Sequence, residues 1–259
     1  MSWSWKIFSA FGIPVRLHIS MLLLPVIAFT WVEGNSLSSW IVAGVLAVLL
    51  FASVIAHEFG HALMGRRFGV KTEDIVLTPI GGMARMRNIP TNPSQEIAIA
   101  IAGPLVSFAV ALGAWLFVSA APVMPLAPRL ILGAAAVLYE LNLTLALFNL
   151  IPALPMDGGR VFRGILSLRM GHTRATIVAS RVGRVLAIAG GIWGVVRGQW
   201  SLAIIAWFIY SFARQEQLYA MHLEAMEQAV RQGTVRAGSL VVQGGKVEVI
   251  SRRDPPSSN

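Results

Sequence analysis

Apolar residues run along this chain in long blocks: about Leu17–Val32, Trp40–Gly65, Glu96–Ala120, Leu130–Leu150, Val182–Val196 and Trp200–Phe212. A helix needs about 20 apolar residues to cross ~30 Å of hydrocarbon, and the blocks stand near or somewhat under that length. The pattern predicts six transmembrane helices. Between the second and third blocks the period changes. Residues 70–89 alternate apolar and polar positions through Glu73-Asp74-Ile75-Val76-Leu77-Thr78 and turn at Gly81-Gly82, which predicts a short β-hairpin on the cytoplasmic face. The expected fold is therefore an all-α polytopic membrane protein with one small hairpin.

After Phe212 the chain turns polar. Residues 215–232 read as a helix with Leu218, Met221, His222, Ala225, Met226 and Ala229 near one face. Residues 241–249 resemble a small hairpin, and residues 254–259 have the composition of a disordered end. The expected division is a membrane domain over 1–215 and a short cytoplasmic tail over 216–259.

Composition agrees with a membrane class. Hydrophobic residues make up 56% of the chain and charged residues 13%, with a mean hydropathy of +0.68, against about 25% charged in soluble domains. The formal net charge of +9 is not a nucleic-acid signal, because the positive residues cap apolar blocks instead of interleaving with aromatics. No Lys or Arg lies between Arg16 and Arg66, between Arg87 and Arg129, or between Arg129 and Arg160. The positive-inside rule then places both termini in the cytoplasm of a multi-pass inner-membrane protein, with residues 33–39 and 121–128 outside. Trp3, Trp5, Trp31, Trp40, Trp193 and Trp200 fit an interfacial aromatic belt. Lys6 and Arg16 before the first block loosely imitate a secretory signal, but the small-residue cleavage pattern is missing, so a retained helix is expected. With no cysteine, disulfides, thiolate metal ligands and cysteine nucleophiles are excluded.

Chemistry enters at His57-Glu58-Phe59-Gly60-His61. Residues i and i+4 of a helix share a face, so two imidazoles at this spacing can ligate one zinc ion, with the intervening Glu58 as general base for a metal-activated water. The motif lies inside an apolar block about nine residues, or ~13 Å, before Arg66 and Arg67, where ionisable groups are costly and usually functional. A catalytic zinc takes three protein ligands and keeps one position open. The third candidate is Asp157, in the Pro- and Gly-broken segment Asn149-Leu150-Ile151-Pro152-Ala153-Leu154-Pro155-Met156-Asp157-Gly158-Gly159 beyond the fourth block. Asp157 could instead cap the helix that follows. Asn149 and Asn142, seven residues apart and so on one helix face, are candidates to position substrate or to bond between helices. Glu140 is a rival ligand lying deeper in the block, and His18 reads as an interfacial residue. Alternatives from other classes are a membrane cation or zinc transporter, whose pathway would also carry His, Asp and Glu, and a catalytically silent membrane adaptor.

His57-Glu58-Phe59-Gly60-His61 paired with the segment Asn149 to Gly159 resembles the site-2 protease family, M50, of intramembrane zinc metalloproteases. Ala102-Gly103-Pro104-Leu105-Val106 is similar to a further family segment, and together these motifs span residues 12–215. The resemblance implies one Zn²⁺ held by His57, His61 and Asp157, Glu58 as catalytic acid/base, and cleavage of single-span membrane substrates, with an oligomer or an accessory membrane regulator as a further partner and nucleic acid as none. It is nearest the sporulation-type and archaeal branch, without CBS domains and without a PDZ insertion between the second and fourth blocks. Ser107 departs from that pattern, since relatives commonly carry Asn there.

Overall fold

The computed structural model describes residues 3–22, 37–78, 81–87, 92–120, 129–232, 240–243 and 246–249. Two strands, β1 (Ser4–Ala10) and β2 (Ile13–His18), come first, followed by a 3₁₀ turn over Ile19–Leu22. Helix α1 (Leu37–Arg67) precedes strands β3 (Lys71–Thr78) and β4 (Gly81–Arg87). Then come α2 (Pro93–Ser119), α3 (Arg129–Asn149), α4 (Asp157–Met170), α5 (His172–Val196) and α6 (Trp200–Arg231). A two-stranded ribbon of β5 (Leu240–Gln243) and β6 (Lys246–Val249) lies where the tail hairpin was expected.

Among the described residues, four helices are long and apolar enough to cross a membrane: residues 40–67, 93–119, 131–149 and 172–196. They match the second to fifth blocks. The sixth block lies within α6, where the apolar stretch from Trp200 ends after Ala213 at Arg214, short of the ~20 residues a span needs. The expected tail helix is the continuation of this same α6. Of the first predicted helix, Leu17 and His18 are instead the end of a strand and Ile19–Leu22 a 3₁₀ turn; residues 23–36 lie outside the described residues, as do 250–259.

The all-α expectation is corrected by the sheet. Its order is β1-β2-β3-β4, with β2 parallel to β3 and antiparallel hairpins on both sides. The 70–89 hairpin is present, and the N-terminal segment adds a second one. Ile13, Val15, Ile75 and Leu77 point from β2 and β3 onto Val54, Phe59 and Ala62 of α1, forming one buried cluster. Their period of two, Ile13, Val15 and Ile75, Leu77, is what lets one sheet face meet the helix. On the other strand positions Asp74, buried, accepts from the guanidinium of Arg85 on β4 and forms an ion pair with Arg16 Nε on β2 at 3.2 Å, clasping three strands. Bonding to Asp74 raises the Arg85 pKa further above its ordinary range.

Local signals set the helix ends next to this sheet. Arg66 and Arg67 complement the C-terminal dipole of α1, and Gly69, at φ 78°, reverses the chain with Val70 N–H donating to Gly65 C=O at 3.0 Å. This stop delivers β3 straight back along α1. At the start of α2, Asn92 Oδ1 accepts from Ser94 N–H at 3.0 Å and Pro93 occupies the first turn, where its missing N–H costs nothing. Helix α2 packs on α1, α3 and α4, making it the central wall of the bundle.

Candidate metal centre

His57 and His61 stand one turn apart on the buried face of α1, their rings edge to face with centroids 4.9 Å apart. Each ring is fixed from behind by α2. His61 Nδ1 donates to the Ile99 carbonyl at 2.7 Å, and His57 Nδ1 pairs with Ser107 Oγ at 2.9 Å. Both Nε2 atoms therefore face the same point.

Asp157 reaches that point from the far side. The chain leaves α3, turns through Pro152 and a cis Leu154-Pro155 bond, and re-enters helix at Asp157. Gly158 and Gly159 permit the approach: a Cβ on Gly158 would lie 2.2 Å from Leu150 O, and one on Gly159 2.4 Å from Leu154 N. The helix cap is Met156 and it makes no side-chain capping bond, so the capping role weighed for Asp157 is absent; its carboxylate points at the imidazoles. Burial pushes this carboxyl up, and the two adjoining imidazoles outweigh burial and hold it below the ordinary carboxylate range.

The three facing atoms form a near-equilateral triangle. Asp157 Oδ2 is 3.1 Å from His57 Nε2 and 3.1 Å from His61 Nε2, and the two nitrogens are 3.2 Å apart. Protons cannot satisfy all three edges, because donation from both nitrogens to the carboxylate leaves two N–H groups opposed. The Ile99 carbonyl can only accept, so the neutral His61 ring carries its proton on Nδ1 and turns the Nε2 lone pair toward Asp157. One cation on the triangle's axis relieves every contact. Zinc held at ~2.0–2.2 Å by tetrahedral ligands has ligand edges of about 3.3 Å, matching the spacing found. Gly103 on α2 leaves the space beside it open, since a Cβ there would lie 2.2 Å from His61 Nε2 and 2.7 Å from His57 Nε2. The donor set, two nitrogens and one carboxylate with no thiolate, suits a three-ligand zinc site with an open position.

Glu58 lies beside this triangle in a cavity of about 700 Å³ lined by His57, His61, Asp157, strand β4 and the α3–α4 turn. Its Oε2 accepts from Ala84 N–H on β4 at 3.2 Å, and Gly82 is compatible with this contact because a Cβ would come within 2.7 Å of Glu58 Cγ. Asn149 is in the cavity wall, its amide donating to Leu145 C=O at 2.9 Å. Asn142 is elsewhere: buried between helices, it donates to Ser53 Oγ on α1 at 2.8 Å and to Leu138 C=O, and does not line the cavity. Glu140 is exposed and apart from the triangle, and His18 Nδ1 pairs with Ser20 Oγ. Among the described residues, His57, His61 and Asp157 form the one metal-capable group of His, Asp or Glu.

The sequence reading singled out Ser107 without assigning it a partner, and it did not find the Ile99 carbonyl or the Ala84 N–H that holds Glu58. Backbone groups leave no trace in residue identity. Gly103 did carry a signal, a glycine within an apolar helix, which costs helix stability and so points to a steric need.

A bundle of apolar helices enclosing a His, His, Asp face with a carboxylate at its side defines a membrane-type metal-site protein. Residues 45–131 and 129–190 match peptidase family M50, and the chain belongs to that family. It is 39% identical to a zinc metalloprotease of Methanocaldococcus jannaschii over 83% of this chain and 61% of that protein. It is 34% identical to a putative zinc metalloprotease of Synechocystis, over 93% of this chain and 66% of that one. Stage IV sporulation protein FB of Bacillus subtilis is 25% identical over 76% of this chain and 63% of its own length. The chain thus spans about two thirds or less of these relatives. Among solved structures, the site-2 protease from Methanocaldococcus jannaschii aligns with a TM-score of 0.62 and 37% identity, over 83% of this chain and 95% of that one.

Proposed function

We propose that this chain is an intramembrane zinc metalloprotease that hydrolyses peptide bonds of single-span membrane proteins in or beside the bilayer. The observation that carries this reading is the 3.1–3.2 Å triangle of His57, His61 and Asp157 with Glu58 beside it. Membership of family M50 and the likeness to a solved site-2 protease support it.

His57, His61 and Asp157 would hold the ion. When bound, zinc supplies a Lewis acid that polarises a carbonyl and makes a neighbouring water acidic near neutral pH. Glu58 takes the proton of that water, and after attack on the scissile carbonyl it returns a proton to the departing amine. Its Oε2 is held by Ala84, and its Oε1 has no hydrogen-bond partner among the described residues, so one oxygen orients the carboxylate while the other exchanges the proton. Asn149, in the cavity wall, would donate the amide hydrogen not given to Leu145 C=O to a substrate carbonyl.

A helical substrate hides its carbonyls in its own hydrogen bonds, so it must be drawn out as a strand before hydrolysis. Strand β4 ends the sheet order and lines the cavity. Ala84 N–H points away from β3 and toward Glu58, so on alternating backbone the groups of Gly82 face the same open edge. An extended substrate segment adding to this edge passes directly by the base. The positive-inside pattern supports six spans with both termini and the catalytic face toward the cytoplasm.

The test is Glu58→Gln in the full chain, co-expressed with candidate single-span substrates. We expect zinc to stay at one per chain while cleavage falls by about 10²–10⁴-fold, the range for loss of a general base. Undiminished cleavage removes Glu58 from the mechanism, and a native chain without zinc removes the metal reading.

A further inference from the structure

We infer that Ser107 is a positioning residue for the metal site: its hydroxyl holds the His57 imidazole in the tautomer and rotation that present Nε2 to the ion. The inference rests on the metal reading above and adds a residue to it. Ser107 is fully buried on α2, fifty residues from His57 in sequence, and its Oγ lies 2.9 Å from His57 Nδ1.

Serines inside helices usually turn the hydroxyl back to the carbonyl four residues earlier, as Ser53 does to Leu49 and Ser167 to Arg163 in this chain. Ser107 has no such bond; its one hydrogen bond among the described residues goes to His57. The carbonyl it forgoes belongs to Gly103, the residue whose missing Cβ makes room for the imidazoles. One turn of α2 therefore leaves space for the metal face and also grips a ring that builds it.

The two histidines are held unequally. His61 faces a carbonyl that only accepts, so its tautomer is fixed by the backbone. His57 faces a hydroxyl, which can accept from Nδ1–H or donate to bare Nδ1. Metal at Nε2 selects the first arrangement, with Nδ1–H donating to Ser107 Oγ, and the hydroxyl then raises the basicity of the ligand. Without it, the ring is free to turn in its pocket and keeps no partner for the Nδ1 proton.

The experiment is a zinc competition titration against a chelator, on the detergent-solubilised full chain, for native protein, Ser107→Ala and the shape-matched pair Ser107→Thr and Ser107→Val. Loss of an outer partner of a ligating imidazole lowers metal affinity by roughly 10–100-fold, so Ser107→Ala should bind zinc that much more weakly. Ser107→Thr should bind at least about tenfold more tightly than Ser107→Val, which has the same outline without the hydroxyl. Ser53→Ala, which breaks a buried bond to Asn142 at a distance from the ring, should keep native zinc affinity. Cobalt in place of zinc should show an altered visible spectrum in Ser107→Ala and Ser107→Val only. Equal zinc affinity in native and Ser107→Ala protein, or in the Thr and Val pair if Ser107→Ala does not fold, overturns the positioning role and leaves the site's ligands standing. A native chain that binds no zinc overturns both.

Discussion

Asp157 is the residue on which zinc retention turns most simply. Its Oδ2 is the only oxygen in a triangle otherwise made of nitrogen, and it arrives from the opposite side of the bundle. Replacing it with Ala leaves two imidazoles, which can still meet an ion but no longer enclose it. Asp157→Ala should emerge from detergent purification with well under one zinc per chain, measured by elemental analysis, while Glu58→Gln retains it. Gly103→Ala tests the same site by volume. The added methyl would sit 2.2 Å from His61 Nε2, so this one carbon should expel the metal although no ligand has changed. At this scale the sequence was very legible for His57, Glu58 and His61, because helical geometry alone turns i and i+4 to one face. Asp157 needed the argument that zinc wants a third ligand. Asn142 and Asn149 could not be separated by spacing, since a shared helix face says nothing about which level of the helix meets a cavity and which meets a neighbouring helix.

Elements carry two further consequences. The buried pair between Glu96, on the first turn of α2, and Arg163, on α4, holds the helix bearing Asp157 against the central wall, with Arg163 Nε donating at 2.8 Å. Removing one member of a buried pair costs about 3–5 kcal/mol, so Glu96→Ala should lower the melting temperature in detergent markedly. Strand β4 makes a kinetic prediction instead. Ala84→Pro deletes the N–H that holds Glu58 Oε2, on an edge strand where proline is tolerated. Zinc content should be unchanged and cleavage reduced by less than the roughly 10²–10⁴-fold expected when the base itself is lost.

The strands also show where sequence reading failed. Ile13, Val15 and Leu17 alternate with Pro14, Arg16 and His18 as a strand should, but the apolar run beginning at Ile19 directly adjoins them and a window long enough to find a span absorbs the alternation. The partner of β2 is β3, some sixty residues on and parallel, a pairing that no local pattern announces. By contrast β3 and β4 are neighbours in sequence, so their hairpin was visible, although Gly81 and Gly82, expected at the turn, open β4. Arg16, taken as a topology marker, proves with Arg85 to be an ion-pair partner of Asp74, since a charge count is blind to pairing.

On the scale of the molecule, the site joins a helix near the start of the chain to one beginning a hundred residues later, and it does so across α2. Zinc would thus act as a removable cross-link. Ligands that bind only the folded form stabilise it in proportion to the logarithm of their concentration over Kd. Chelation should therefore make the α3–α4 turn cleavable by added protease and lower the unfolding temperature, and restored zinc should reverse both, as read by limited digestion and thermal scanning. The bundle was foreseen in outline, since four of the six apolar blocks are helices of spanning length among the described residues; the N-terminal half of the sheet was not.

The turn that carries Asp157 is seated by the fit of two glycines against carbonyls and amides of the preceding loop. Any side chain added at either glycine should therefore lever the carboxylate off its mark, and such a variant would lose metal with its complete donor set still encoded.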